Sequence, residues 1–187
     1  MIALQHAPVP ALDRLRRRLP TLTLRQAAES LAALLHDPQF IRAEILPLLE
    51  EGERAKSVVV ARQIGEQSSG AALLFFIWPA GATSSIHDHV SWGVVGCAAG
   101  ALVEERYKRL DDGAQPDVAH LRRIWRRTWR RGSGVSTLLP YEGGIHRISN
   151  PGQRPAISVH IYGPRSGKLD GRDYDPARDF VCDRFED

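Results

Sequence analysis

Ile86-His87-Asp88-His89 sets two histidines two residues apart. In an extended strand, side chains at i and i+2 point to one face, so His87 and His89 can aim two imidazoles at one point while Asp88 faces away. A glycine-containing turn, Pro79-Ala80-Gly81-Ala82, precedes the pair, and apolar runs over 71–78 and 94–103 flank it. Two nitrogen donors on a buried sheet suggest a metal site, although a lone His-x-His also arises from histidines that merely alternate. A third donor is His146, delivered by the proline–glycine turn Pro140-Tyr141-Glu142-Gly143-Gly144-Ile145, with Asn150 four residues beyond it. Three neutral imidazoles from two strand–turn units, meeting inside a barrel, leave coordination positions open, as a catalytic metal centre requires.

A further chemical signal is Ser158-Val159-His160-Ile161-Tyr162. Alternation puts Ser158, His160 and Tyr162 on one face and the aliphatic residues on the other. Buried polar groups need partners, so three in line read as a hydrogen-bond relay from serine to histidine to tyrosine. The alternative is an edge strand with a solvated polar face. A Ser-His-Asp hydrolase is disfavoured, because no Gly-x-Ser-x-Gly elbow surrounds any serine.

The elements that must position these groups follow from the same chain. Its 187 residues suit one domain. A helical layer is expected over about 1–55, a barrel over about 57–163 and a wrapping tail over 164–187. A short, loosely held helix is expected at about 10–18. Thr23 is placed to cap a helix carrying Ala27, Leu31, Leu34 and Leu35 at helical spacing. Another should run over about 38–51, with Phe40, Ile41, Ile45, Leu48 and Leu49 inward and Pro47 kinking it. From residue 57 the pattern becomes that of strands, including 71–78, 84–90, 92–97, 101–108, 119–129, 134–139, 146–149 and 156–162. In the tail, Phe180, Val181 and Phe185 are the expected anchors.

Composition bounds the function classes. No segment is long and apolar enough for a membrane span, and the first six residues show no secretory pattern, so a cytoplasmic location and no membrane partner are expected. Cys97 and Cys182 make no disulfide framework. Arginines and tryptophans interleave over 122–131, a combination that can bind single strands. Net charge is only +3 and no nucleic-acid motif appears, so no nucleic acid is expected.

Gly81, His87, His89, and later Gly134, Pro140, Gly143, His146 and Asn150 resemble the two motifs of the cupin superfamily. The metal-binding glutamate expected soon after the first histidine pair is missing, and Glu104 and Glu105 come too late for it. A cupin with three histidines, no carboxylate and Ser-x-His-x-Tyr is similar to the thiol dioxygenases, meaning cysteine dioxygenase and its bacterial relatives acting on 3-mercaptopropionate. The resemblance runs over about 59–162 and includes Trp92-Gly93, Glu105-Arg106-Tyr107 and His160-Ile161-Tyr162-Gly163.

It implies an all-β cupin barrel with N-terminal helices, holding iron(II) on His87, His89 and His146. It further implies that Ser158, His160 and Tyr162 form the outer relay. The activity implied is oxidation of a small thiol carboxylate (3-mercaptopropionate, mercaptosuccinate or cysteine) by O2 to its sulfinate. Animal members crosslink a cysteine to the relay tyrosine; here Gly93 and Val94 occupy that neighbourhood, so no crosslink is expected. For the substrate carboxylate the candidates are Arg62, at about the place of the cysteine dioxygenase arginine, and Arg172, roughly matching one of the mercaptopropionate type. Gln63 beside Arg62 leaves a one-residue ambiguity between the two types. No acidic residue is evidently placed to receive an ammonium, which favours a thiol without an amino group. Another metallo-cupin enzyme, or a ligand-sensing cupin, remains an alternative. The oligomeric state is open.

Overall fold

The computed structural model describes residues 8–185, so the reading of the first six residues lies outside the described chain. Helix α1 (Pro10–Arg18) starts on a proline, whose missing N–H is not needed in a first turn. Leu12 and Leu15 bury its inner side, so this helix is anchored rather than loose. Thr23 caps α2 (Leu24–His36) in a reciprocal capping box with Gln26. Asp37 caps α3 (Pro38–Phe40). The chain then widens into a π-helical stretch (Ile41–Ile45), and α4 (Leu46–Gly52) restarts with Pro47 in its first turn. The local change of helix type accommodates a proline that a continuous α-helix would not.

The strands that follow are β1 (Val59–Ile64), β2 (Ala72–Trp78), β3 (Ile86–His87), β4 (Gly93–Ala99), β5 (Ala101–Arg109), β6 (Leu121–Arg130), β7 (Ser136–Leu138), β8 (His146–Ser149), β9 (Ala156–Tyr162), β10 (Leu169–Asp175) and β11 (Phe180–Phe185). They form two antiparallel sheets, β1-β2-β9-β4-β7 and β11-β10-β3-β8-β5-β6, the cupin barrel with N-terminal helices that the sequence implies.

The first sheet is covered on both faces, which is why β2 is apolar throughout. Leu73, Phe75, Ile77, Ile157, Val159 and Ile161 pack under the helices. Leu74, Trp78, Val95, Leu102, Trp129, Ile148 and Tyr162 pack inside the barrel. β9 lies between β2 and β4 and is buried along its length, so its polar face looks inward and is not a solvated edge.

Two expectations need correction. The strand expected over 84–90 contracts to Ile86–His87, because the backbone of 88–90 turns to bond β10. The tail does not merely wrap: β10 and β11 form a hairpin that extends the second sheet through Asp173↔His87. Val181 is buried as an anchor, but Phe180 and Phe185 are 40% and 63% exposed.

Candidate metal centre and cavity

β3 and β8 meet at one register pair, His87↔His146, and the chain after β3 carries His89 back to the same point. The three rings lie 4.6–5.7 Å apart, centroid to centroid, and one nitrogen from each falls within 4.8 Å of the others. All three side chains are buried. His87 and His146 each hold Nδ1 toward an acceptor. His87 Nδ1 is 3.0 Å from Ser85 O, and His146 Nδ1 is 3.2 Å from Glu104 Oε1. A cation at His89 Nε2 requires the proton on Nδ1; Asp170 Oδ1 stands 3.6 Å from that nitrogen and Arg184 Nη2 3.3 Å from it, so the Arg184–Asp170 pair brackets the ring.

His89 Nε2 and His146 Nε2 are buried without a partner. Orphaned buried nitrogens are costly unless something binds them, so this donor set fits a metal ion. Burial, the largest cause, holds His87 well below the ordinary histidine value and His89 at about 4; His146 is lowered too, although Glu104 opposes it. The imidazoles are therefore neutral, the form that ligates.

Glu104 is not a donor to this point but the outer partner of His146. Its carboxylate also accepts from Arg106 Nε at 2.7 Å and Trp129 Nε1 at 3.0 Å. Burial works against its ionisation, but His146 and Arg106 hold its pKa at about 2. The arginine–tryptophan strand thus contributes Trp129 to the interior, with Arg127 stacked on that ring at 4.2 Å. Asn150 organises the neighbouring turn, donating to Trp78 O, Pro79 O and Arg154 O.

His160 and Tyr162 line a cavity of about 290 Å³ together with the three histidines, and Ser158 bonds His160 from outside it. Ser158 Oγ is 2.7 Å from His160 Nε2, and His160 Nδ1 is 2.8 Å from Tyr162 Oη. Trp78, which the sequence did not mark, donates its Nε1 to Ser158 Oγ at 2.7 Å. Indole N–H only donates, so the arrangement satisfying every buried group runs one way. Trp78 gives to Ser158, Ser158 gives to His160 Nε2, and Nδ1–H gives to Tyr162, which leaves the phenol proton for the cavity. Burial pushes Tyr162 well above the ordinary tyrosine value and His160 well below that of histidine, so both stay uncharged. The Tyr162 ring lies 4.4 Å from that of His89.

Neither arginine expected at the substrate lines this cavity. A bulge at Ala61 sets Arg62 opposite Phe75, on the helix-facing side of the sheet, where it pairs with Glu44. The bulge shifts β1 by one residue, and a one-residue shift exchanges the two faces of a strand. Gln63 donates to Gly65 O instead. Arg172 neighbours Asp173, which pairs with His87, so alternation turns Arg172 outward onto Asp88.

The cavity receives Arg184 from β11 and Asp170 from β10. Arg184 is register partner to Gly171, where no side chain blocks it, and it pairs with Asp170. Burial alone would raise the Asp170 carboxyl; His89, Arg184 and Arg165 hold it well below the usual range instead. Gln67, which also lines the cavity, accepts from Arg165 Nε at 3.1 Å. An acidic residue is therefore at hand after all, but it is already matched by cations. Arg184 and Asp170 escaped the sequence reading because 169–175 and 180–185 carry Gly and several Asp, residues that strands disfavour.

Two antiparallel sheets closed around three convergent imidazoles define a cupin with a metal-suited site. The segment 57–174 matches the family described as cysteine dioxygenase type I, and the chain belongs to that family. Among solved structures it is similar to TT1209 from Thermus thermophilus (14% identity, TM-score 0.44, over 60% of this chain and 89% of that one). It is also similar to the Cupin_2 domain of an XRE family transcriptional regulator from Enterobacter cloacae (16% identity, TM-score 0.40, over 59% of this chain and 100% of that one). A recombinant oxalate oxidase in complex with glycolate matches at 17% identity and a TM-score of 0.45, over 62% of this chain and 55% of that one. No helix among the described residues is long and apolar enough to cross a membrane.

Proposed function

We propose that the protein is an iron(II)-dependent dioxygenase that converts a small thiol carboxylate to its sulfinate. The observation that carries this reading is the pair of orphaned nitrogens, His89 Nε2 and His146 Nε2, converging with His87 beside the Tyr162 phenol. His87, His89 and His146 would hold the metal through their Nε2 atoms. The chemistry a bound iron(II) supplies is oxidation of the thiol sulfur by dioxygen: RSH and O2 give RSO2− and H+, with both oxygen atoms on sulfur.

The chain's own residues do the rest. Three neutral donors leave the positive charge of the site uncompensated, which favours a thiolate over a thiol there. The relay from Trp78 fixes the Tyr162 hydroxyl so that its proton points into the cavity, where it can hydrogen-bond the reacting sulfur or oxygen. Arg184 is the side chain we assign to the substrate carboxylate, because it is the arginine in the cavity lining and its guanidinium keeps further N–H donors beside the pair with Asp170. Asp170, already matched by Arg184 and Arg165, offers an ammonium little net attraction, so we favour 3-mercaptopropionate or mercaptosuccinate over cysteine. The apolar wall of Leu74, Phe76 and Ile148 keeps water from the reacting atoms.

The test is oxygen consumption by the iron-loaded protein with cysteine, 3-mercaptopropionate and mercaptosuccinate, with the sulfinate identified by mass. Thiol-independent oxygen uptake, or none with any of the three, would sink this reading in favour of another metallo-cupin or a sensor.

A further inference from the structure

Resting on the reading of the three histidines as a metal site, the geometry assigns Arg172 a positioning role: it is a strut that joins both histidine-bearing turns to β10 and so fixes the spacing of the donor nitrogens. That is a different task from the carboxylate binding its sequence position suggests.

Asp88, between the two donors of the first turn, is completely buried. Its Oδ1 accepts from Arg172 N at 2.8 Å, and its Oδ2 accepts from Arg172 Nε and Nη2 at 2.9 and 2.6 Å. Tyr174 Oη adds a further bond to Oδ2 at 2.7 Å. The backbone reciprocates, with Asp88 N donating to Arg172 O at 3.0 Å. The same Arg172 Nη2 donates to Glu142 Oε1 at 2.8 Å, and the guanidinium lies 5.0 Å from the centre of the Tyr141 ring. Both residues belong to the short helical turn Tyr141–Gly144 that delivers His146. Tyr141 N in turn donates to His89 O at 2.8 Å. One side chain therefore grips the turn carrying His87 and His89 and the turn carrying His146.

The strut acts at the His87–His89 end of the β3–β8 junction, because the other bonds between the β3 and β8 segments, such as Ser84 N to Ile148 O at 2.9 Å, lie before β3. β3 has two residues and meets β8 at a single register pair. The close seating of β10 on this turn is itself built in: a Cβ at Gly171 would stand 2.1 Å from Asp88 O. Arginine suits the task because its planar fork can serve Asp88 and Glu142 in two fixed directions, which an ammonium cannot.

The experiment measures the affinity of the full chain for Co(II) and Zn(II) by chelator competition, independently of turnover. Arg172→Ala should bind about 10–100-fold more weakly, the usual effect of losing an outer support. Arg172→Lys should recover only part of that. Should Arg172→Ala fail to fold, Glu142→Ala carries the test. It removes an exposed carboxylate, and should weaken metal binding while the urea midpoint of the metal-free protein stays unchanged. Wild-type metal affinity in Arg172→Lys and Glu142→Ala, with only the thiol KM rising, overturns the strut and restores the substrate role. The His87→Ala variant separates the two layers of the argument. If it binds metal as tightly as wild type, the metal-site reading fails and the strut with it; if it loses metal while the strut variants do not, the strut alone is wrong.

Discussion

Glu104 Oε1 stands 3.2 Å from His146 Nδ1, so a carboxylate supports a histidine donor from outside. Glu104→Gln should bind Fe(II) about 10–100-fold more weakly. It also strands the buried Arg106 guanidinium, and loss of one partner of a buried pair costs about 3–5 kcal/mol. Chelator competition and urea unfolding of the metal-free variant measure the two effects separately; an unchanged urea midpoint would contradict the buried pairing.

Tyr162→Phe should keep wild-type metal occupancy and lower kcat about 10–100-fold, because the phenol lies beside the donors and not among them. Ser158→Ala should act in the same direction, by removing the group that sets the His160 tautomer. Metal analysis together with the ratio of sulfinate formed to oxygen consumed is the check. Wild-type turnover and coupling in Tyr162→Phe would make the relay a packing feature.

Arg184→Ala should raise the thiol KM about 10–100-fold at saturating metal, the worth of a charged hydrogen bond. Arg62→Ala should leave kcat/KM unchanged. Its partner Glu44 is buried but Arg62 itself is 43% exposed, so solvent screening limits the stability loss to about 1 kcal/mol. The opposite pattern of KM effects would return the carboxylate to Arg62.

The two cysteines should react differently. Burial raises Cys97 to about 11, so at pH 8 only about one part in a thousand is thiolate, and thiolate is the reacting species. Cys182 is exposed. Alkylation of the native protein should therefore add one group, at Cys182, and a second only after unfolding. Peptide mapping should find Tyr162 unlinked: the residue against its ring is Gly93, whose Cβ would lie 2.9 Å from it, and glycine brings no sulfur. Labelling of Cys97 at native pH would refute its burial.

The metal donors and the relay were legible because each rests on a local period: i, i+2 spacing fixes a shared face whatever the rest of the chain does. Arg62 was misplaced because a bulge at Ala61 adds one residue to β1, and nothing in Val58, Val59 and Val60 announces it. The role of Glu104 has no local signature, since its pairing with His146 spans a long stretch of chain and depends on the register of β5 on β8. The hairpin carrying Asp170 and Arg184 has little strand propensity and is held by pairing with β3, a tertiary fact.

The single-pair junction of β3 with β8 has a bearing on how the molecule acquires its shape. His87 and His146 lie 59 positions apart (146 minus 87), with β4 and β7 of the first sheet and β5 and β6 of the second between them. Closing so distant a contact is slow, and its entropy is lost before any local contact repays it. The complete three-histidine site therefore cannot form before β3 meets β8. In refolding, tight ion capture should lag behind the gain of strand structure, and a tight site should appear only as the β3–β8 junction closes.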